Sequence, residues 1–184
     1  MTEKNISSFG FSAHVDNEEE RIFLSEFMAQ VTMENSRGKV INIVSFVDHL
    51  LAQVLSEFSL NKEKALKITS DLSGCLNPIM NKANVCHMLG LLTEHELKQI
   101  KAFANVRNEM AHDWRADFSS PNIAKRIQKL SSNINGSIEE QFMALSGQLV
   151  TQLHHRIGYA KTLREDLPSK SLVEKISRMT TARI

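Results

Sequence analysis

The sequence predicts an all-α protein, a single-domain bundle of six to eight helices. Turn residues are scarce, with 7 glycines and 3 prolines in 184 residues, and the chain has one Trp and one Tyr, whereas sandwiches and barrels need frequent turns and favour aromatics. Apolar residues recur at helical spacing, and no segment alternates with the period of two that marks a half-buried strand. An apolar fraction of 42% is enough for one ordinary core, which excludes a disordered chain and a collagen-like rod.

The domain boundaries are predicted near the two ends of the chain. Residues 1–15 are expected to be a flexible arm, 16–166 the helical domain, and 167–184 a tail with a short amphipathic helix. The first helix should begin near Asp16 or Asn17, where a capping side chain precedes acidic residues that suit the positive end of a helix.

The second predicted helix, about Ser36 to Phe58, is the most apolar of the chain. One stripe at helical spacing consists of Val40, Val44, Val47, Leu51, Val54 and Phe58. Further apolar residues widen that stripe, so we expect this helix at the centre of the bundle.

Local start signals place the remaining helices. Thr93 to Glu96 and Ser137 to Glu140 are capping boxes, and Ser120-Pro121 and Pro78 also mark helix starts. They predict helices from Pro78 to about Leu89, from Thr93 to about His112, over about 121–132 and from Ser137 to about Arg164, with a short helix and a Gly-containing turn over 61–76.

Charge and cysteine content limit the class of function. The formal net charge is 22 − 21 = +1, with 12 basic and 16 acidic residues in 1–120, and 10 basic and 5 acidic residues in 121–184. Such a balance gives no overall field for nucleic acid. Cys75 and Cys86 form no CxxC pair and are expected to be buried thiols of a reduced, cytoplasmic protein. No signal peptide or membrane span of about 18 apolar residues is visible.

The segment Arg107 to His112 carries the densest set of chemically active side chains. Arg107 continues an apolar column of its helix, formed by Leu97, Ile100, Ala104 and Ala111. A buried guanidinium needs an acceptor, and Asp48 in the central helix is the expected partner. The pair could be structural, or Arg107 could hold a phosphate while His112 transfers a proton.

A second feature of the same helix is a polar line at spacings of four, three and four residues. The line consists of Lys101, Asn105, Asn108 and His112. Arg107 and His112 are five residues apart, about 140° around a helix. They can share one site only if the helix frays or a second chain completes it.

Four blocks of the sequence together resemble the mannitol operon repressor family. The blocks are Ser36-Arg37-Gly38-Lys39, Val47-Asp48-His49-Leu50-Leu51, Leu89-Gly90-Leu91-Leu92 and Arg107-Asn108-Glu109-Met110-Ala111-His112. Their order and separations match over about residues 20–132, and Lys82 stands where the family is expected to have Arg. The resemblance implies an all-helical bacterial cytoplasmic protein connected with regulation of mannitol utilisation, with no recognisable helix-turn-helix.

The Arg-x4-His element also resembles the signature of the HEPN superfamily of helical domains, many of which are metal-independent ribonucleases. That resemblance implies that Arg107 stabilises the scissile phosphate, Asn108 positions it and His112 acts as acid or base.

Three functions therefore remain open from the sequence. The leading hypothesis is a non-enzymatic regulator of the mannitol repressor type, and the alternatives are a HEPN-type ribonuclease or toxin component and a helical protein-interaction module. The residues expected to matter are Arg37, Asp48, Lys82, Arg107, Asn108 and His112. A homodimer is expected, with a protein partner and possible nucleic-acid contact, and with no membrane, cofactor or metal, since the seven histidines lack paired-ligand spacing.

Overall fold

The computed structural model describes residues 18–131 and 134–167, and it confirms the all-α bundle there. Seven helices and no strand occur in these two ranges. They are α1 (Glu18–Met33), α2 (Ser36–Phe58), α3 (Lys62–Ser70), α4 (Ile79–Met88), α5 (Glu94–His112), α6 (Pro121–Gln128) and α7 (Ile138–Glu165). The expected arm at 1–15, the proposed caps at Asp16 or Asn17 and the short helix of the tail lie outside the described residues.

Helix α2 is the centre of the bundle, as its apolar surface predicts. The side chain of Asn35 caps its first turn by accepting the backbone N–H of Gly38 at 2.9 Å. Helices α1, α3, α4, α5 and α7 all pack against it. Its length and composition would also suit a membrane span, but 56% of that apolar window is buried inside the protein, which is the behaviour of a core helix.

Both predicted capping boxes are present. Thr93 and Glu96 close the start of α5, and Ser137 and Glu140 close the start of α7. Helix α7 runs unbroken through Gly158, although glycine lowers helix propensity. Helix α6 ends at Gln128, four residues before its predicted end, because the backbone N–H groups of Leu130 and Ser131 turn back to Ile127.

The core lies where α2, α5 and α7 meet. Phe142 of α7 contacts Phe103 of α5 and Phe118 of the following loop, with ring centroids 4.8 and 5.4 Å apart. The buried amide of Gln99 donates to the carbonyl of Leu145 at 3.0 Å, which satisfies a polar group inside this core.

The prediction that both cysteines are buried holds for one of them. Cys86 lies in the core, and burial raises the pKa of its thiol to about 12. Cys75 is exposed because it lies in the turn between α3 and α4, outside the packed faces of the helices.

Candidate functional site

The partner of Asp48 is Lys82, and the predicted pairing of Asp48 with Arg107 is wrong. Lys82 is only 1% exposed, and its Nζ lies 2.9 Å from Asp48 Oδ1. The same ammonium donates to the carbonyls of Thr69 at 3.0 Å and Asn77 at 2.7 Å. The buried ammonium of Lys82 therefore links α4 to α2, to α3 and to the turn between α3 and α4. Lys82 reaches Asp48 because α4 packs directly on α2.

Arg107 is half-buried and forms no ion pair with any residue of 18–131 or 134–167. The apolar column on which it lies is buried at Ile100 and Ala104, but Ala111 at its end is exposed. The column leaves the core at Arg107, because the last turn of α5 extends to the edge of the bundle. The long side chain can therefore keep its charge in water, and no internal carboxylate is required.

Arg37 has a role that the sequence did not reveal. From the first turn of α2, its guanidinium donates to the carbonyls of Met110, of Asp113 at 2.9 Å and of Ala116 at 3.5 Å. The last carbonyls of a helix lack partners within the helix and attract cations. Arg37 therefore fixes the end of α5 and the loop after it. Every residue type has a backbone carbonyl, so the sequence does not show which carbonyls Arg37 binds. It shows only that Arg37 lies in the first of the four blocks that resemble the family.

Two residues close to Arg37 in the sequence attach the start of α2 to α7. Lys39 Nζ lies 2.7 Å from Glu139 Oε1, and Ser36 donates to Glu139 Oε2 at 2.7 Å. The hydrogen bond from Lys39, with that from Ser36, holds the pKa of Glu139 below its usual value although partial burial opposes this. The start of α2 is thus attached to α5 and to α7.

The polar line of α5 faces solvent along its whole length. Lys101, Asn105, Asn108 and His112 are all exposed, so Asn108 and His112 lie on one open face. Helix α5 continues to His112 without fraying. Arg107 and His112 therefore project about 140° apart, and one chain does not bring them together.

The loop after α5 is held in one conformation by short-range hydrogen bonds. Asp113 Oδ1 accepts the N–H of Arg115 at 2.9 Å, and Asp117 Oδ1 accepts the N–H of Ser119 at 2.8 Å and its hydroxyl at 2.6 Å. The bonds from Ser119 lower the pKa of the Asp117 carboxyl. This braced loop presents Trp114, which is 78% exposed and has the Arg115 guanidinium 4.9 Å from its ring centroid.

Comparisons with protein families, with curated proteins and with solved structures found no match.

Two neighbouring clefts lie along α1 and α2 and share Phe23, Phe46 and His49. Their volumes are about 460 and 390 Å³. Their walls are mainly aromatic and aliphatic, and Phe27 packs on Phe46 with ring centroids 4.3 Å apart. The described residues contain no group of three His, Cys, Asp or Glu that could hold a metal ion. No residue of α5 lines either cleft, so the clefts and the exposed face of α5 are separate features.

Proposed function

We propose that the protein is a bacterial cytoplasmic regulator of the mannitol operon repressor type, which acts by binding macromolecules. The observation that carries the proposal is that the blocks that resemble that family lie at the joints between helices. A chance likeness would scatter over the surface, whereas a shared fold must keep the residues that fix its helices.

The first and last blocks meet at the end of α5. Arg37 holds the carbonyls of Met110, Asp113 and Ala116, while Ser36 and Lys39 hold Glu139. The first and last blocks, joined through Arg37 and Met110 across 73 residues of sequence, are therefore in contact in the folded chain.

The second and third blocks have structural roles as well. Asp48 binds Lys82, and the positively charged group that the family places at this position is thus retained. Gly90 has φ +74°, a conformation that favours glycine, and the two following leucines are buried. The first three blocks therefore each contain a residue whose identity the fold uses, and the last block contributes the backbone carbonyl of Met110 to the joint with Arg37.

The arrangement of ionisable groups favours binding over catalysis. Lys82 and Arg37 are engaged in holding helices, while Arg107 and His112 point in different directions. General acid–base chemistry needs its groups within about 3 Å of a shared reacting atom, and no such convergence involves these residues within one chain.

The test is deletion of the gene in the bacterium of origin, with mannitol-operon transcript measured by quantitative reverse transcription. Without mannitol, deletion should raise the transcript, and the wild-type gene should restore repression. The His112→Ala gene should restore it equally, since no catalysis is involved. An unchanged transcript in the deletion strain would overturn the proposal.

A ribonuclease of the HEPN type is the second candidate, and the unpaired Arg107 favours it. A guanidinium with no carboxylate partner in the described ranges is available to a phosphate. The 140° separation requires a homodimer that completes the site with a second chain. Light scattering at tens of micromolar should then show a dimer, and wild type should cut RNA without metal while His112→Ala, although folded, should not. A monomer, or RNA left intact, rules this candidate out.

A further inference from the structure

The exposed polar line of α5, which we name the α5 strip, consists of Lys101, Asn105, Asn108 and His112. At 100° per residue, spacings of four, three and four keep these side chains within about 60° of one another, and they span about 16 Å along the helix. All four are exposed, and each can donate a hydrogen bond. The strip is a straight row of donors about one helical turn apart.

Between Lys101 and the end of the loop after α5, every carboxylate has a partner. Between Lys101 and His112 the only acidic residue is Glu109, which pairs with Arg126 of α6 at 2.9 Å. In the loop that follows, the carboxylates of Asp113 and Asp117 accept hydrogen bonds from the loop itself. Lys101 has no ion pair within the described ranges. The strip can therefore offer positive charge and amide donors to an anionic chain.

An exposed aromatic residue, Trp114, follows the strip in the chain. Trp114 follows His112 by two residues, so their Cα atoms are no more than about 7 Å apart. The Arg115 guanidinium lies over the ring, 4.9 Å from its centroid, and 78% exposure of Trp114 leaves much of the indole open to a base. Hydrogen bonds from Arg37 to the carbonyls of Asp113 and Ala116 hold the loop on both sides of Trp114. A loop that is already ordered loses less entropy when a ligand binds.

We propose that the α5 strip and Trp114 form a binding site for single-stranded nucleic acid, with phosphates along the strip and one base stacked on the indole. A row of donors beside an exposed aromatic ring is the combination that single-strand binding requires. The proposal deepens the proposed function by naming a partner class, and rests on it only in taking the chain to be a binding protein.

A single strand fits this surface better than a duplex or a protein. Stacking on Trp114 needs an unpaired base, which a duplex does not offer. A protein partner would bury an apolar centre surrounded by a polar rim, whereas four of the five side chains of the proposed site are polar and Trp114 is its one aromatic residue. The net charge of +1 argues only against long-range attraction. Each phosphate that a cation of the site neutralises should add about 0.7 to the slope of log affinity against log salt.

The chain's one tryptophan makes the test direct. Intrinsic fluorescence of the full chain is followed while oligo(dT) or oligo(U) of about 15 nucleotides is added at about 50 mM salt. A stacked base should quench Trp114, and both single strands should do so. Tighter binding of oligo(U) would assign the site to RNA, and tighter binding of oligo(dT) to DNA.

Variants are compared by the fluorescence anisotropy of a labelled oligonucleotide. Trp114→Ala should weaken binding by about 5- to 150-fold, the range for loss of one stacked base. Lys101→Gln should lower the slope of log affinity against log salt by about 0.7, the value for one phosphate contact with a single strand. Met88→Ala is the matched control, because Met88 is 82% exposed at the end of α4 that leads into the start of α5, and it should bind as wild type.

Four outcomes overturn the site: no quenching by either single strand, equal binding of duplex DNA, equal binding of poly-glutamate, or full affinity in both Trp114→Ala and Lys101→Gln. Poly-glutamate binding would indicate an acidic protein partner instead. Failure here leaves the deletion test of operon transcript unaffected, so the two proposals can fail separately.

Discussion

At the scale of single residues, Lys82 is the side chain whose loss should cost the most. Lys82→Ala would leave Asp48 without its cation and two carbonyls without their donor. We expect the free energy of unfolding to fall by about 2–4 kcal/mol, below the cost of breaking a fully buried pair because Asp48 is one-third exposed. Urea unfolding followed by circular dichroism measures this loss.

Lys98→Ala is the control for that experiment. Lys98 forms an exposed pair with Glu94 one turn away at 3.3 Å, so its loss should cost less than about 0.5 kcal/mol. Equal stability of Lys82→Ala and Lys98→Ala would contradict the structural role given to the buried ammonium.

Substitution of Arg37, which binds the end of α5, should destabilise the protein more than substitution of Arg107, which lies in α5 itself. Arg37→Ala removes hydrogen bonds from one charged group to three carbonyls and should destabilise by about 2–3 kcal/mol. Arg107→Ala removes a half-buried side chain without an ion pair in the described ranges, and should cost no more than about 1 kcal/mol. Thermal and urea unfolding of both variants would show the order, and the reverse order would contradict this assignment of roles.

The residues of the site were predictable only in part. The sequence singled out Asp48 and Lys82, but it assigned Asp48 to Arg107, because the apolar column of α5 suggested a deeper position than the end of the helix allows. The polar line was visible in the spacing of the sequence, and the structure shows that all four of its side chains are exposed. Both α4 and α5 pack against α2, so the choice between the two basic partners depends on which side chain faces Asp48, and nothing local to Asp48 records that choice.

At the scale of helices, the start of α5 should make stability depend on acid pH. Burial alone would raise the pKa of Glu96, but hydrogen bonds from Thr93 and Arg156 lower it below the ordinary value of 4.5. Because the folded pKa is the lower one, Glu96 stabilises the fold above the unfolded pKa, and this stabilisation is lost as pH falls through the folded pKa.

The corresponding variant is Glu96→Gln. Near pH 7 it should be less stable than wild type by about 1–3 kcal/mol, and the difference should shrink towards about pH 3. Urea unfolding at several pH values measures it. Glu94→Gln, at an exposed position of the same turn, should follow the wild-type profile; a constant difference between wild type and Glu96→Gln would contradict the assignment.

Two glycines offer opposite effects of the same substitution. A methyl group added at Gly90 or Gly158 would meet nothing within 4 Å, so only backbone conformation differs between them. Gly158→Ala, inside α7, should stabilise by about 0.5–1 kcal/mol. Gly90→Ala, at φ +74°, should destabilise by about 1–2 kcal/mol. Melting temperatures that move in the same direction would contradict this explanation.

Helices were more predictable than contacts because their signals are local. The capping boxes of α5 and α7 placed both helix starts, and the apolar width of α2 placed it at the centre. The end of α6 was missed, since the turn back to Ile127 has no distinctive residue such as Gly or Pro to mark it in the sequence.

At the scale of the whole molecule, the helices differ in how firmly they are held. Helix α2 is surrounded by five others, whereas α1 packs mainly on α2 alone. Ile22 and Phe23 of α1 remain about half exposed, and α1 forms one wall of both apolar clefts. Helix α1 should therefore open without global unfolding, since opening exposes little further apolar surface.

Native-state hydrogen exchange of the full chain tests this order of stability. Backbone amides of α1 should show protection at least about tenfold lower than those of α2, whose exchange should require global unfolding. Val31→Ala, at a side chain of α1 that is 1% exposed, should lower protection in α1 further and leave α2 nearly unchanged. Ile22→Ala, at a side chain 49% exposed, should change neither helix by much, because it removes little buried surface. Equal protection of α1 and α2 would mean that the bundle opens only as one unit, and that the walls of the clefts move together with its core.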